Sequence, residues 1–212
     1  PGVEQRRFAL LMGSREERYE GIAMAGQAIV ILLIITFAPP FLSGIFTLVS
    51  AMLQVKLKNV PISRTTISPP AGGARFVNLG DVLLHAGIVL LVVTIAFSVV
   101  FVTANFFKVS GNLFLPLFFL FRWVPYVLAF VWVAAKVERV IRWKHLIYVA
   151  IVVAIIIMPI HSIYTAIYTM IARTSIAPDT AAFEIFYTCY TWVQVFASMG
   201  AGGAITNAMK SR

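Results

Sequence analysis

The chain has 212 residues, 60% of them hydrophobic and only 12% charged, with a net charge of +9 and a mean hydropathy of +0.92. Soluble domains carry about a quarter charged residues because water must wet their surface. A chain with half that share excludes a water-solvated globule and calls for hydrocarbon around most of its side chains. The excess of Lys and Arg would point to nucleic acid in a soluble protein. Here the basic residues flank apolar runs and read as topology markers, so nucleic acid is not an expected partner and the lipid bilayer is.

Cys189 is the single cysteine. It excludes an internal disulfide, and no CxxC or zinc-ligand spacing exists. The opening residues lack a basic region, short apolar stretch and cleavage site, so no signal peptide is expected there.

Residues 1–20 mix both signs of charge and read as an N-terminal interfacial segment. Ser14 and Glu17 match a capping box, which starts a helix near Arg15. The apolar run Ile22–Ala38 spans ~25 Å at ~1.5 Å per residue, enough to cross a bilayer. Pro39 and Pro40 then remove two amide donors and predict a kink or break. Beyond them Ser43, Thr47, Ser50, Gln54 and Lys58 recur at three- and four-residue steps, one polar stripe along a helix. Three fates fit that segment: a kinked continuation of the first span, an interfacial helix, or a sixth crossing. The continuation is favoured, giving a first span of about 22–55.

Residues 59–78 hold Pro61, Pro69, Pro70, Gly72 and Gly73 and read as a loop without helical period. Further spans follow at about 82–107, 113–135, 146–172 and 181–209, with a turn at Pro178 and Asp179. The expected fold is an all-α polytopic transmembrane helix bundle of about five spans, one helical domain over residues 21–209. Ten basic residues (Lys56, Lys58, Arg64, Arg75, Lys136, Arg139, Arg142, Lys144, Lys210, Arg212) then share one side. Six (Arg6, Arg7, Arg15, Arg18, Lys108, Arg173) take the other, which orients the chain N-out and C-in.

Arg122 lies near the middle of the third span, where a lone guanidinium costs at least ~3 kcal/mol. It snorkels, sits in a broken span, or lines a polar path. At ~1.5 Å per residue, Arg122 and His161 both fall ~15 Å deep with Thr191 alongside, and Glu184 lies ~5 Å deep. Depth alone therefore suggests an intramembrane polar layer of Arg122, His161, Thr191 and Glu184. In the fourth span His161, Tyr164, Thr165, Tyr168 and Thr169 share a face, as a hydrogen-bonded seam or a pore lining. In the fifth, Ser198, Gly202 and Thr206 are small residues at four-residue steps, which let helices approach closely within the bundle or between subunits.

Catalytic readings fail on residue content. There is no HExxH, GxSxG, Walker A or GxGxxG, no span carries paired carboxylates, and Asp81, Glu138, Asp179 and Glu184 are scattered singly. A haem would need two axial histidines at one depth. His85 and His161 differ by ~15 Å, and His145, nearer to His85, follows Arg142 and Lys144 in a basic region expected to be wet. The chain therefore reads as a non-catalytic integral membrane subunit of a larger assembly, with other membrane subunits as partners and no cofactor or metal. A channel, transporter or secretion-pore component with a polar path near Arg122 and His161 is the alternative. A haem-binding redox anchor is a weaker one.

Overall fold

A computed structural model of the chain describes residues 15–58, 60–64, 76–106, 111–172 and 180–211. Five helices dominate it: α1 Arg15–Leu57, α2 Leu79–Phe106, α3 Gly111–Lys136, α4 Arg142–Ala172 and α5 Thr180–Lys210. The last four lie within four residues of their expected spans, and α1 begins seven residues before its span, where the capping box places the helix start. Two strands, β1 Pro61–Arg64 and β2 Phe76–Asn78, pair antiparallel between α1 and α2. They correct the reading of residues 59–78 as a loop. Ile62, Val77 and Phe76 form runs too short to show a period, and the prolines and glycines between them masked the pairing.

Helix α1 runs through Pro39 and Pro40 without interruption, so residues 41–57 continue the first helix rather than starting a new one. A proline at position 40 cannot donate to the carbonyl of Thr36, four residues back. The hydroxyl of Ser98 on α2 donates to that carbonyl instead, at 2.5 Å. In a bilayer, a neighbouring hydroxyl that re-satisfies the freed carbonyl is one of the ways a helix tolerates a proline.

The same two helices form an antiparallel hairpin with a regular register. A Cβ added to Gly80 would lie 2.9 Å from the backbone of Gln54, and one added to Gly87 would lie 2.9 Å from that of Thr47. Gly44 faces Leu91 further along, and the Ser98–Thr36 bond extends the series. Each step down α1 is matched, to within one residue, by a step up α2. Thr36, Ser43 and Ser50, seven residues apart, are buried along this hairpin. Small residues there permit backbone contact, which is how helices gain dispersion energy where no hydrophobic effect separates them from lipid.

The rest of the bundle closes on α2 and α4. The face Leu146, Val149, Ala150, Val153, Ala154 and Ile157 of α4 is buried at three- and four-residue spacing. It joins Val82, Ala86, Val89, Leu90 and Val93 of α2, and Tyr126, Phe130 and Val133 of α3, in one core. Helices α3 and α5 lie side by side and parallel: Trp123 meets Tyr190, Thr206 meets Val131, and Lys210 meets Ala135.

Among the described residues, three helical stretches are long and apolar enough to cross a membrane: Thr36–Leu57, Leu79–Val100 and Arg142–Ile160. These make the chain compatible with an integral membrane protein. Helix ends that carry Lys56, Lys136, Arg142 and Lys210 gather at one end of the bundle, joined by contacts between α3, α4 and α5.

Candidate functional site

Polar side chains concentrate at this basic end. His85, on the second turn of α2, and His145, on the first turn of α4, approach until Nδ1 of one stands 2.8 Å from Nε2 of the other. Their rings meet edge to face at 5.0 Å between centroids. An N···N hydrogen bond of that length requires one nitrogen to donate and the other to accept, so two neutral rings carry the same tautomer, both Nδ1–H if His85 donates and both Nε2–H if His145 does. Trp132 of α3 sets its ring edge-on to His85, with centroids 5.7 Å apart. Lys136 Nζ stands 6.0 Å over that indole. One turn before His85, Asp81 accepts a 2.7 Å hydrogen bond from Gln54 Nε2. Residues from four helices thus meet around one imidazole pair.

His145 is 3% exposed, which corrects the expectation that it sits in a wet interface. Its sequence neighbours Trp143 and Lys144 are exposed while Arg142 and His145 point inward. The helical turn, rather than the local charge, decides which residue meets water. The spacing of the pair as it stands is not that of two axial haem ligands. Two axial imidazoles stand on opposite sides of an iron, at about 4 Å between nitrogens, whereas these nitrogens bond each other directly.

Beside the pair, Arg142 is buried at 2% exposure. It donates to Asn207 Oδ1 of α5 and to the carbonyl of Val137 at 3.3 Å, while its Nε has no partner. Lys210 Nζ donates to the carbonyl of Ala135 at 3.0 Å. Both cations therefore serve carbonyls at or just past the C-terminal end of α3, where the helix leaves acceptors unpaired and its dipole favours positive charge.

Further into the bundle, the buried face of α5 is largely polar where those of α3 and α4 are mainly apolar. Thr191, Gln194, Ser198 and Thr206 are all buried. Gly202 lies against α3 so closely that an added Cβ would stand 2.8 Å from Phe130 Cβ and 2.9 Å from its backbone carbon. Thr206 donates to the carbonyls of Gly202 and Val131. Gln194, Ser198, Gly202 and Thr206 of α5 thus pack inside the chain. Neither end of the Gln194 amide has a partner, and neither does Ser198 Oγ one turn on.

The opposite face of α5 is small as well. Ala197, Ala201, Ala204 and Ala208 recur at three- and four-residue steps and are exposed, and a Cβ on Gly200 would meet nothing within 4 Å.

Of the proposed polar layer, only Thr191 has a described side chain; it is buried and engaged with a neighbour. The side chains of Arg122, His161 and Glu184 lie outside the described set, as do those of Tyr164, Thr165, Tyr168 and Thr169. What sequence reasoning missed is the His85–His145 contact. The four-residue step from Asp81 to His85, and the similar depth of His145, were the available signals. Among the described residues, no three His, Cys, Asp or Glu side chains form a group that could hold a metal ion. No protein-family model, curated protein or solved structure matches the chain.

Proposed function

We propose that the protein is a non-catalytic, multi-pass integral membrane subunit that docks other membrane chains along the outer face of α5. The observation that carries this reading is the pair of small-residue faces on that helix. One face, with Ser198, Gly202 and Thr206, is consumed against α3. The other, with Ala197, Gly200, Ala201, Ala204 and Ala208, faces outward. Lipid chains gain nothing from alanine in particular, whereas a second helix gains close approach.

Helix α1 supports the same reading. It has 43 residues, against 26 to 31 in the others, and no charged residue separates Glu20 from Lys56. That uncharged stretch is about 50 Å long at ~1.5 Å per residue, against a hydrocarbon core of ~30 Å. Even at the upper end of ordinary helix tilts, ~40°, it exceeds that core by roughly 10 Å. A neighbouring subunit would cover the excess.

Extraction from the native membrane in mild detergent, followed by mass measurement of the particle, tests the proposal. The expected particle exceeds one 23.4 kDa chain plus its detergent, and Gly200→Leu with Ala204→Leu releases the partner. A monodisperse single chain, or a complex indifferent to both leucines, refutes it.

Gln194 supports a second reading, a conduit component with a hydrated interior. An amide buried with neither end bonded costs on the order of several kcal/mol, and water reaching it would remove that cost. Under that reading Ser198→Cys, on a background lacking Cys189, reacts with a small water-soluble thiol reagent. A cysteine there that stays unreactive in the folded protein removes the conduit reading.

A further inference from the structure

We propose that His85 and His145 bind a divalent transition-metal ion at the basic end of the bundle, with solvent completing its coordination. This is independent of how the subunit assembles. The starting point is the 2.8 Å separation of two imidazole nitrogens carried by different helices. A metal ion bonded to both at ~2.0–2.1 Å would see them at roughly 85°. That is the angle of two adjacent positions in a tetragonal or octahedral ion, whereas a tetrahedral ion would hold the nitrogens ~3.3 Å apart. The geometry therefore favours Cu2+ or Ni2+ over Zn2+.

The fold brings both rings together before any ion arrives. His145 is packed inside the bundle, Trp132 abuts His85, and the Gln54–Asp81 bond ties α1 to α2 one turn away. Chelation turns each nitrogen's lone pair roughly 45° away from the line between them, a local ring rotation. In the neutral pair, the hydrogen between the two nitrogens moves to the far nitrogen of its own ring, and each freed lone pair bonds the metal. No proton leaves, and the pair keeps its charge.

The neighbouring charges leave room for a cation. Asp81 supplies a carboxylate one turn from His85. The Arg142 guanidinium is directed to Asn207 and the carbonyl of Val137, and the Lys136 ammonium stands over Trp132. Since no third His, Cys, Asp or Glu side chain completes a cluster among the described residues, the protein supplies two ligands and water the rest. Asp81 is half-buried on the first turn of α2, so solvent reaches this end of the helix. Two histidines 60 positions apart carry no spacing signature, which is why the sequence shows no metal motif.

The test is Cu2+ titration of the full chain in detergent, carrying no polyhistidine tag, followed by electron paramagnetic resonance. The expected result is one Cu2+ per chain with hyperfine splitting from two imidazole nitrogens. His85→Asn and His145→Asn each weaken binding at least ~10-fold, Asp81→Asn weakens it less, and His161→Asn leaves it unchanged. Helical circular dichroism and elution volume report whether each variant keeps the fold. The unsubstituted protein needs no variant to be decisive: failure to show a two-nitrogen signal overturns the proposal. So does a folded His85→Asn or His145→Asn protein that retains the signal.

Discussion

Glycines at two positions on α5, two residues apart, separate a packing contact from an open surface. Gly202 meets Phe130 at a distance no Cβ tolerates, and the obstructing atoms include backbone, which cannot swing aside. Gly200 meets nothing. Gly202→Ala should therefore destabilise the bundle by about 1–3 kcal/mol, the usual cost of overpacking. Gly200→Ala should be neutral or stabilising by up to about 1 kcal/mol, since alanine is the better helix former. Thermal unfolding of the two variants in detergent checks the contrast, and equal losses would show that the α3–α5 contact is misplaced. Arg142 gives a second residue-scale expectation. Asn207→Ala leaves a buried guanidinium short of an acceptor and should cost about 1–3 kcal/mol, while Asn207→Asp should recover the loss. A stable Asn207→Ala protein would mean that water serves the arginine instead.

Helix α1 shows what a linear reading can and cannot supply. The run Ile22–Ala38 and the stripe from Ser43 to Lys58 were both legible, because hydrophobicity and period are local properties. Whether Pro39 and Pro40 end the helix was not, because the answer depends on a hydroxyl 62 positions away. The β1–β2 pair and the His85–His145 contact were hidden for the same reason: partners distant in sequence complete them. Helix ends fared better, because charged and proline-containing segments bound each apolar run. The Pro40–Ser98 coupling makes a measurable prediction. Ser98→Ala should destabilise α1 by on the order of 1–3 kcal/mol, since it removes the hydroxyl's bond to the Thr36 carbonyl. In a Pro40→Ala background the restored amide takes that carbonyl, and Ser98→Ala should become nearly silent. A double-mutant cycle reads the coupling directly. Additive losses would separate the hydroxyl from the proline.

At the scale of the whole molecule, charge and contact tell one story. The basic residues grouped by the sequence include Lys56, Lys136, Arg142, Lys144 and Lys210, and the helix ends bearing them meet at one end of the bundle. Three stretches among the described residues are apolar enough to cross a membrane. We propose that α3 and α5 cross as well, because they pack side by side with the others and reach the same basic end, which makes five crossings with the N-terminus outside. The His85–His145 pair, the outer face of α5 and the two cations serving α3 then acquire a common address near one membrane surface.

Single cysteines placed at Lys58, Lys144 and Lys210, each in a chain lacking Cys189, test that arrangement most directly. Sealed vesicles of known sidedness are treated with a thiol reagent that cannot cross lipid. All three positions should react from the cytoplasmic side alone, and a cysteine at Arg15 should react from the opposite side. Labelling of Lys58→Cys and Lys210→Cys from opposite faces, or of Arg15→Cys from the same face as the other three, would contradict the five-crossing bundle.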